Sequence, residues 1–297
     1  MIDYRKKNVA EEIEKIAAFI RDYVLEGDEI VVAVSGGMDS DIVARLCCKS
    51  VGNRRVRLFI VVQDEMEEKF LVNARNLAKD LHVHLAEIHL EEMNMELMSA
   101  LENGELPPVF RTDMLLDPAK AKCSVRSAVI SSYQDKGFLI AGTTNRTEKE
   151  LGFFLTFGDN LANFKPIAHL YKSELQPFAQ ALGTAKAVME QEPSAGFWPG
   201  QTDLEDLAYW IVNDGPIVYP RTFSEEEEKQ VEIIKSELSV DVIDEVLILY
   251  GRHSDPADIS GYTGIPEYVV KGLIHIVEKA KILKNRKILV EMPTDGE

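Results

Sequence analysis

The chain has 297 residues, an ordinary globular composition and a net charge of −17. This acidic balance argues against a general binder of nucleic acid or of anionic membranes, because such affinity depends on a basic surface. No apolar stretch approaches the ~18 residues that cross a bilayer, and the charged N-terminus predicts an amphipathic helix rather than a signal peptide. The odd number of cysteines, three, favours a reducing, cytoplasmic location.

Short apolar runs alternate with helical patterns in the first half of the chain. Strands are predicted over residues 30–34, 57–62, 84–88 and 137–141, and helices over residues 40–49, 68–81 and 124–136. Buried strands separated by helices imply parallel βαβ units. Because such crossovers are right-handed, we expect an α/β fold with an open, doubly wound parallel sheet and helices on both faces.

The second half of the chain is different in composition. Residues 191–225 contain four prolines and three glycines, which predicts a loop with one short helix, a candidate lid or ordered insertion. A helical appendage follows, with Asp255-Pro256 and Ile265-Pro266 as helix starts. We therefore expect a nucleotide-binding domain over 1–190, a lid-like insertion over 191–225 and a C-terminal helical segment over 226–297 packed on the same domain.

A glycine-paired turn joins the first strand to the first helix of the α/β pattern. Backbone N–H groups at a helix N-terminus favour an anion, and Gly36 and Gly37 let a phosphate approach the backbone closely. Ser35 and Ser40 add hydroxyl donors. Asp39 would repel a bare phosphate, so its presence indicates a Mg²⁺ ion between the two anions. The turn therefore predicts a site for magnesium-bound pyrophosphate.

A structural alternative exists for this turn, in which Asp39 and Asp41 only cap the helix. The turn has neither the lysine of GxxxxGK[ST] nor the spacing of GxGxxG. Its arrangement of strand, Ser-Gly-Gly-x-Asp-Ser and helix resembles the PP-loop of the N-type ATP pyrophosphatases, whose fold is called adenine nucleotide alpha hydrolase-like. Those enzymes cleave ATP to AMP and pyrophosphate to activate a substrate as an adenylate, so the resemblance implies ATP and Mg²⁺.

Further motifs narrow the resemblance. After the fourth predicted strand come GT-x-N-x-x-E, G-F-F, F-G-D, P-I and L-x-K, and then EPSAGFWPGQTD over residues 192–203. This order is similar to the NAD synthetase family, and the final IDEVLILYG stretch resembles its C-terminal helices. Glu148 lies where a strand ends, so it is a candidate second carboxylate for Mg²⁺, with helix capping as the alternative. The chain contains no glutaminase domain, so it is similar to the ammonia-dependent type.

The resemblance implies a reaction and a set of site residues. The family adenylates the nicotinate carboxylate of deamido-NAD and forms the amide with ammonia, as a homodimer with the dinucleotide at the interface. Catalysis would fall to Asp39, Glu148, Asp159 and Lys172, with Asp39 and Glu148 as metal ligands. ATP or pyrophosphate would contact Ser35, Gly36, Gly37, Met38, Ser40, Thr143 and Ser194. The substrate would contact Arg126, Asp159 and Asp203; a surface ion pair is the alternative for Arg126 and Lys172.

Six positions depart from the family pattern, mostly by losing a charge. They are Gln191 for lysine, Ala128 for arginine, Thr156 for lysine, Asn163 for aspartate, Leu204 for an acid, and Gln63-Asp64 for Met-Pro. Losing a charge-assisted contact commonly costs about 1.5–3 kcal/mol, so an altered carboxylate acceptor is an open alternative. Lys186 is a candidate replacement for the missing lysine.

Two further alternatives fall outside this enzyme class. The chain could be an ATP-binding protein without ligase activity, but Asp39 and Glu148 argue against it, because such a protein needs no metal ligands. It could instead transfer sulfur to tRNA, as some PP-loop enzymes do. The acidic composition and the absence of a basic appended domain weigh against that alternative.

Overall fold

The computed structural model describes residues 8–63, 66–90, 118–153, 161–196, 199–215, 222–252 and 255–285. In these ranges, parallel strands form one sheet in the order β3-β2-β1-β4. The strands are β1 (Ile30–Ala33), β2 (Val56–Val62), β3 (His84–His89) and β4 (Leu139–Ala141). The predicted parallel α/β sheet is confirmed. β4 is shorter than expected because the N–H of Gly137 closes the preceding helix turn on the Gln134 carbonyl, at 2.9 Å.

Helices cover both faces of the sheet. They are α1 (Val9–Tyr23), α2 (Met38–Val51), α3 (Glu68–Leu81), α4 (Pro118–Asp135), α5 (Arg146–Leu151), α6 (Leu175–Leu182) and α7 (Lys186–Met189), with 3₁₀ turns at Asn53–Arg55 and Lys172–Glu174. Alternate residues of β1 face opposite cores: Val32 packs with α1, α2, α3 and α6, whereas Val31 packs with α4. Burial on both faces explains why β1 is apolar at every position.

A second hydrophobic core belongs to the C-terminal helices. These are α8 (Asp203–Val212), α9 (Glu225–Glu237), α10 (Val240–Tyr250), α11 (Pro256–Thr263) and α12 (Glu267–Asn285). Leu207, Val246 and Leu273 pack there with Leu151 of α5.

The predicted start of α11 is confirmed, because Asp255 caps Ala257 N–H at 2.9 Å and proline follows in the first turn. α4 begins six residues earlier than the predicted position 124, at Pro118.

The strand order places a crevice at the carboxyl ends of β1 and β4. The chain proceeds outward from β1 through β2 to β3, and then returns to the other side of β1 as β4. Ligands of open α/β sheets bind where the strand order reverses in this way. The residues that follow β1 and β4, 34–37 and 142–145, therefore meet at the expected ligand edge. In the described ranges, no helix is both long enough and apolar enough to cross a bilayer.

Candidate active site

The loop after β1 is shaped by a close backbone contact. Gly36 has a φ of +78°, and a Cβ atom there would lie 2.2 Å from the carbonyl oxygen of Phe70. Only glycine satisfies both conditions. Gly37 is the N-cap of α2 and has extended backbone, with no side chain bonded to the first turn of the helix. The first N–H groups of α2 therefore have no side-chain cap, as an anion site requires.

Serine hydroxyls fix the conformation of this loop. Ser40, which is 3% exposed, accepts the N–H of Ser35 at 3.2 Å and donates to the Gly37 carbonyl at 3.1 Å. The exposed Ser35 hydroxyl accepts the N–H of Gly37 at 3.3 Å. Met38 packs its side chain against the sheet core, so only its backbone is placed to meet a phosphate.

The capping alternative for the two aspartates is wrong. Asp41 is buried and accepts hydrogen bonds from Arg45 Nε and Thr184 Oγ1, both at 2.6 Å. Asp39 instead faces the crevice. Its Oδ1 accepts the Nδ2–H of Asn145 at 3.0 Å, and its Oδ2 accepts from Lys172 Nζ. The two aspartates therefore have separate tasks, one inside the fold and one at the ligand edge.

Lys172 and Asp39 form a largely buried ion pair. Their side chains are 12% and 16% exposed, so the surface-pair alternative for Lys172 is wrong. Burial alone lowers the pKa of Lys172, but Asp39, Glu148 and Asp203 outweigh it, and the pKa lies above its ordinary value. Lys172 is therefore a permanent cation among three carboxylates.

Asn145 joins the second carboxylate to the first. Asn145 is fully buried, and its side-chain oxygen accepts the backbone N–H of Glu148 at 2.9 Å. The backbone N–H of Asn145 in turn donates to Glu148 Oε2 at 3.1 Å. This capping box starts α5, so Glu148 does cap the helix, as the alternative proposed. Since Asn145 also donates to Asp39, one amide side chain bonds to Asp39 and caps the helix that carries Glu148.

The carboxylates of the crevice repel one another. Burial and the charge of Asp39 raise the pKa of Glu148 to about 8, against the opposing effect of Lys172. Burial and Asp39 likewise raise the pKa of Asp203, which begins α8, again against Lys172. A site with this excess of carboxylate favours an added proton or an added cation.

The donor set suits Mg²⁺ bound together with a nucleotide. Within the described ranges, no three His, Cys, Asp or Glu side chains converge closely enough to hold a metal alone. Mg²⁺ is ordinarily held by one or two carboxylates plus substrate phosphates and waters. Asp39 and Glu148, linked through Asn145 beside the phosphate loop, fit that requirement.

Gln191 lies close to the phosphate loop. Asn73 of α3 donates from Nδ2 to both the Gly36 carbonyl and Gln191 Oε1, each at 3.1 Å. Gln191, which replaces the lysine of the family pattern, is thus joined to the phosphate loop through the neutral side chain of Asn73. The side chain of Lys186 is 81% exposed and pairs with Glu190 on the protein surface, at 3.3 Å. These contacts give no support to Lys186 as the replacement cation.

Arg126 connects the sheet edge to the segment before α8. It donates to Gln63 Oε1 at 2.7 Å and to the Ala195 carbonyl at 3.4 Å. Ser194 belongs to the same segment and accepts the Gly196 N–H at 3.0 Å. Arg126 therefore bridges the end of β2 and the PSAG motif.

The remaining positions divide into three groups. Thr143 lies two residues after the end of β4 and is half-buried at the crevice edge. Asn163 accepts the Ile140 N–H at 2.8 Å, so it completes the sheet edge, and Leu204 packs against the C-terminal core. Three positions lie outside the described residues, namely Asp159, Thr156 and Asp64.

Fold and site together define a nucleotide-binding α/β protein of the PP-loop class. The chain belongs to the NAD synthase family, whose model matches residues 12–239. It is 26% identical over 276 residues to an NH₃-dependent NAD⁺ synthetase of Methanocaldococcus jannaschii, covering 92% of this chain and 93% of that one.

Two solved structures share the fold. An NMN synthetase from Francisella tularensis has a TM-score of 0.71 at 18% identity, covering 97% of this chain and 100% of that chain. An NH₃-dependent NAD synthetase from Campylobacter jejuni, solved with a nitrate ion, has a TM-score of 0.64 at 20% identity, covering 96% of this chain and 100% of that chain.

Asn145 was not predicted as a link between the carboxylates. Its Asn-x-x-Glu spacing is a capping-box signal that identifies the start of α5. No local pattern indicates its bond to Asp39, because the two residues are 106 positions apart.

Proposed function

We propose that this chain is an ATP- and Mg²⁺-dependent ligase that adenylates a carboxylate, releases pyrophosphate and forms an amide with ammonia. Deamido-NAD is the first acceptor, which rests on family membership and on the relatives named NH₃-dependent NAD⁺ synthetases. The observation that carries the proposal is the group of Asp39, Asn145, Glu148 and Lys172 at the crevice beside the phosphate loop.

The proposed roles follow from the position of each group. Asp39 and Glu148 would hold Mg²⁺, which supplies charge neutralisation for the leaving pyrophosphate. The N–H groups of Gly37 and the first turn of α2 would donate to the phosphate oxygens, with Ser35 and Ser40 beside them. With Asp39 holding Mg²⁺, the ammonium of Lys172 would be available to stabilise negative charge on the phosphate oxygens.

The acceptor side of the site supports a second candidate substrate. Gln191 makes a neutral hydrogen bond there, and Leu204 lies in an apolar wall rather than presenting an acid. A smaller or differently charged carboxylate would need fewer cationic contacts. The name of the structural neighbour NMN synthetase suggests the mononucleotide, nicotinate mononucleotide, as the acceptor to compare.

We also propose a homodimer with the dinucleotide at the interface, which rests on family resemblance. The prolines and glycines of residues 191–225 support a candidate lid there. The odd number of cysteines, three, supports a reducing, cytoplasmic location.

The test is pyrophosphate release from Mg·ATP and ammonium, measured without acceptor, with deamido-NAD and with nicotinate mononucleotide. Asp39→Ala is the blank, and Asp28→Ala, a surface carboxylate that accepts the Leu25 N–H, is the matched control. Stimulation by deamido-NAD with NAD formed supports the first acceptor, and stimulation by the mononucleotide alone supports the second. ATP consumption that Asp39→Ala leaves unchanged would contradict the proposed site.

A further inference from the structure

A buried carboxylate from the C-terminal helices reaches the back of the active site. Asp244 lies on α10, five residues beyond the end of the family-model match, and is 0% exposed. Its Oδ1 accepts the hydroxyl of Thr147, and its Oδ2 accepts the N–H of Ser173 at 2.8 Å. Burying a carboxylate costs free energy unless hydrogen bonds satisfy it. The hydrogen bonds of Asp244 come from α5 and from the 3₁₀ turn at Lys172–Glu174, which both border the crevice.

Both segments carry a charged group of the site next to the bonded residue. Thr147 precedes Glu148 on α5, and Ser173 follows Lys172 in the 3₁₀ turn. Thr147 Oγ1 also accepts the backbone N–H of Lys172 at 2.9 Å. One carboxylate and one hydroxyl therefore fix the backbone of α5 against the backbone of the lysine turn.

The same end of α10 also forms part of the crevice wall. Val240 and Ile243 line a cavity of about 50 Å³ together with Glu148, Lys172 and Asp203. A displacement of α10 would therefore change both the wall of this cavity and the bonds of Asp244.

We propose that Asp244 is a positioning residue, which sets the distance between Glu148 and Lys172 by holding Thr147 and the Ser173 N–H. The inference rests on the proposed function, because it assigns Glu148 to Mg²⁺ and Lys172 to the phosphate charge. Asp244 then gives the C-terminal helical segment a role in the geometry of the active site, in addition to its packing in the second core.

The test compares Asp244→Ala and Asp244→Asn with Val246→Ala. Val246 is 1% exposed on the same helix and packs in the same core, so its truncation loosens α10 without removing a bond to α5 or to the lysine turn. The measurements are kcat and KM for Mg·ATP in pyrophosphate release, and hydrogen exchange of the amides of residues 172 and 173.

Asp244→Ala should lower kcat about 10–100-fold, which is the usual effect of losing a group that orients the ligands of a metal ion. It should also speed hydrogen exchange at both amides. Asp244→Asn should recover most of the rate, since its carbonyl oxygen still accepts from Ser173 and its amide donates to Thr147. Val246→Ala should lower the melting temperature while keeping kcat and the exchange of these amides.

Unchanged exchange at residues 172 and 173 in Asp244→Ala overturns the inference, as does an equal loss of kcat in Val246→Ala. If Asp244→Ala does not fold, Thr147→Val and Thr147→Ser decide: the valine should reduce kcat and the serine restore it. Equal rates in that pair also overturn the inference. Exchange is measured without substrate, so it separates failure of this inference from failure of the proposed reaction.

Discussion

The phosphate loop over residues 35–40 and the acceptor-side segment over residues 191–203 meet at the same crevice but are held in different ways. The phosphate loop is set by a steric contact at Gly36 and by hydroxyls inside the loop. The acceptor-side segment is held from outside, through Asn73 to Gln191 and through Arg126 to Ala195.

This contrast separates two kinds of constraint. A backbone that must approach a phosphate tolerates few residue types, so the Ser-Gly-Gly-x-Asp-Ser pattern is readable in the sequence. A segment held by side-chain bridges accepts neutral replacements without losing its contacts, and the departure Gln191 occurs in such a segment. The backbone conformation therefore restricts the residue types of the phosphate loop more than those of the segment over residues 191–203.

The largest predicted effect compares a glycine from each region. Gly36→Ala combines a φ of +78° with a 2.2 Å clash against the Phe70 carbonyl, so we expect a destabilisation of about 3 kcal/mol or more. Gly200→Ala has a similar φ of +81° but open space around its Cβ, and should cost about 1–2 kcal/mol. Urea unfolding measures both.

ATP affinity should separate the two variants further. A Gly36→Ala protein that still folds should bind ATP about tenfold more weakly or worse, because the loop must move away from α3. Gly200→Ala should retain ATP binding. Equal destabilisation of the two variants would mean that the Phe70 contact does not shape the phosphate loop.

The fold was predictable because its signals are local. Strand burial on both faces, the Asp255-Pro256 helix start and the glycines after β1 each leave a pattern within a few residues. The bonds from Asn145 to Asp39 and from Asp244 to Thr147 span 106 and 97 positions, and exist only after the sheet and the C-terminal helices have packed. The phosphate-loop motif was therefore readable in the sequence, whereas the long-range hydrogen bonds of Asn145 and Asp244 were not.

The next prediction concerns the negative charge of the crevice. Asp203 of the acceptor-side segment contributes to this charge. The pKa of Glu148 is raised to about 8 by burial and Asp39. A carboxyl with a raised pKa contributes stability below its unfolded pKa near 4.5, and that contribution is lost as pH rises through 8. Without nucleotide, the melting temperature should therefore fall by a few degrees between pH 5 and pH 8.

Glu148→Gln should flatten this fall, because the amide carries no proton to lose. Glu150→Gln, on the same helix but paired with Arg146 at 2.7 Å, is the control and should keep the wild-type slope. Scanning calorimetry at several pH values makes the comparison. A Glu148→Gln curve parallel to the wild type would show that another group titrates.

The smallest predicted effect restores a charge to the acceptor-side segment. Gln191→Lys places an ammonium at the position joined to the Gly36 carbonyl through Asn73. A charge-assisted contact to phosphate commonly contributes about 1.5–3 kcal/mol, but the exposed stem loses side-chain entropy, so KM for ATP should fall only about 3–10-fold. Gln191→Met, which removes the bridge without adding charge, is the matched control. A lower KM in the lysine variant that disappears at high salt would tie the gain to charge, whereas equal KM values in the two variants would show that residue 191 does not face the phosphates.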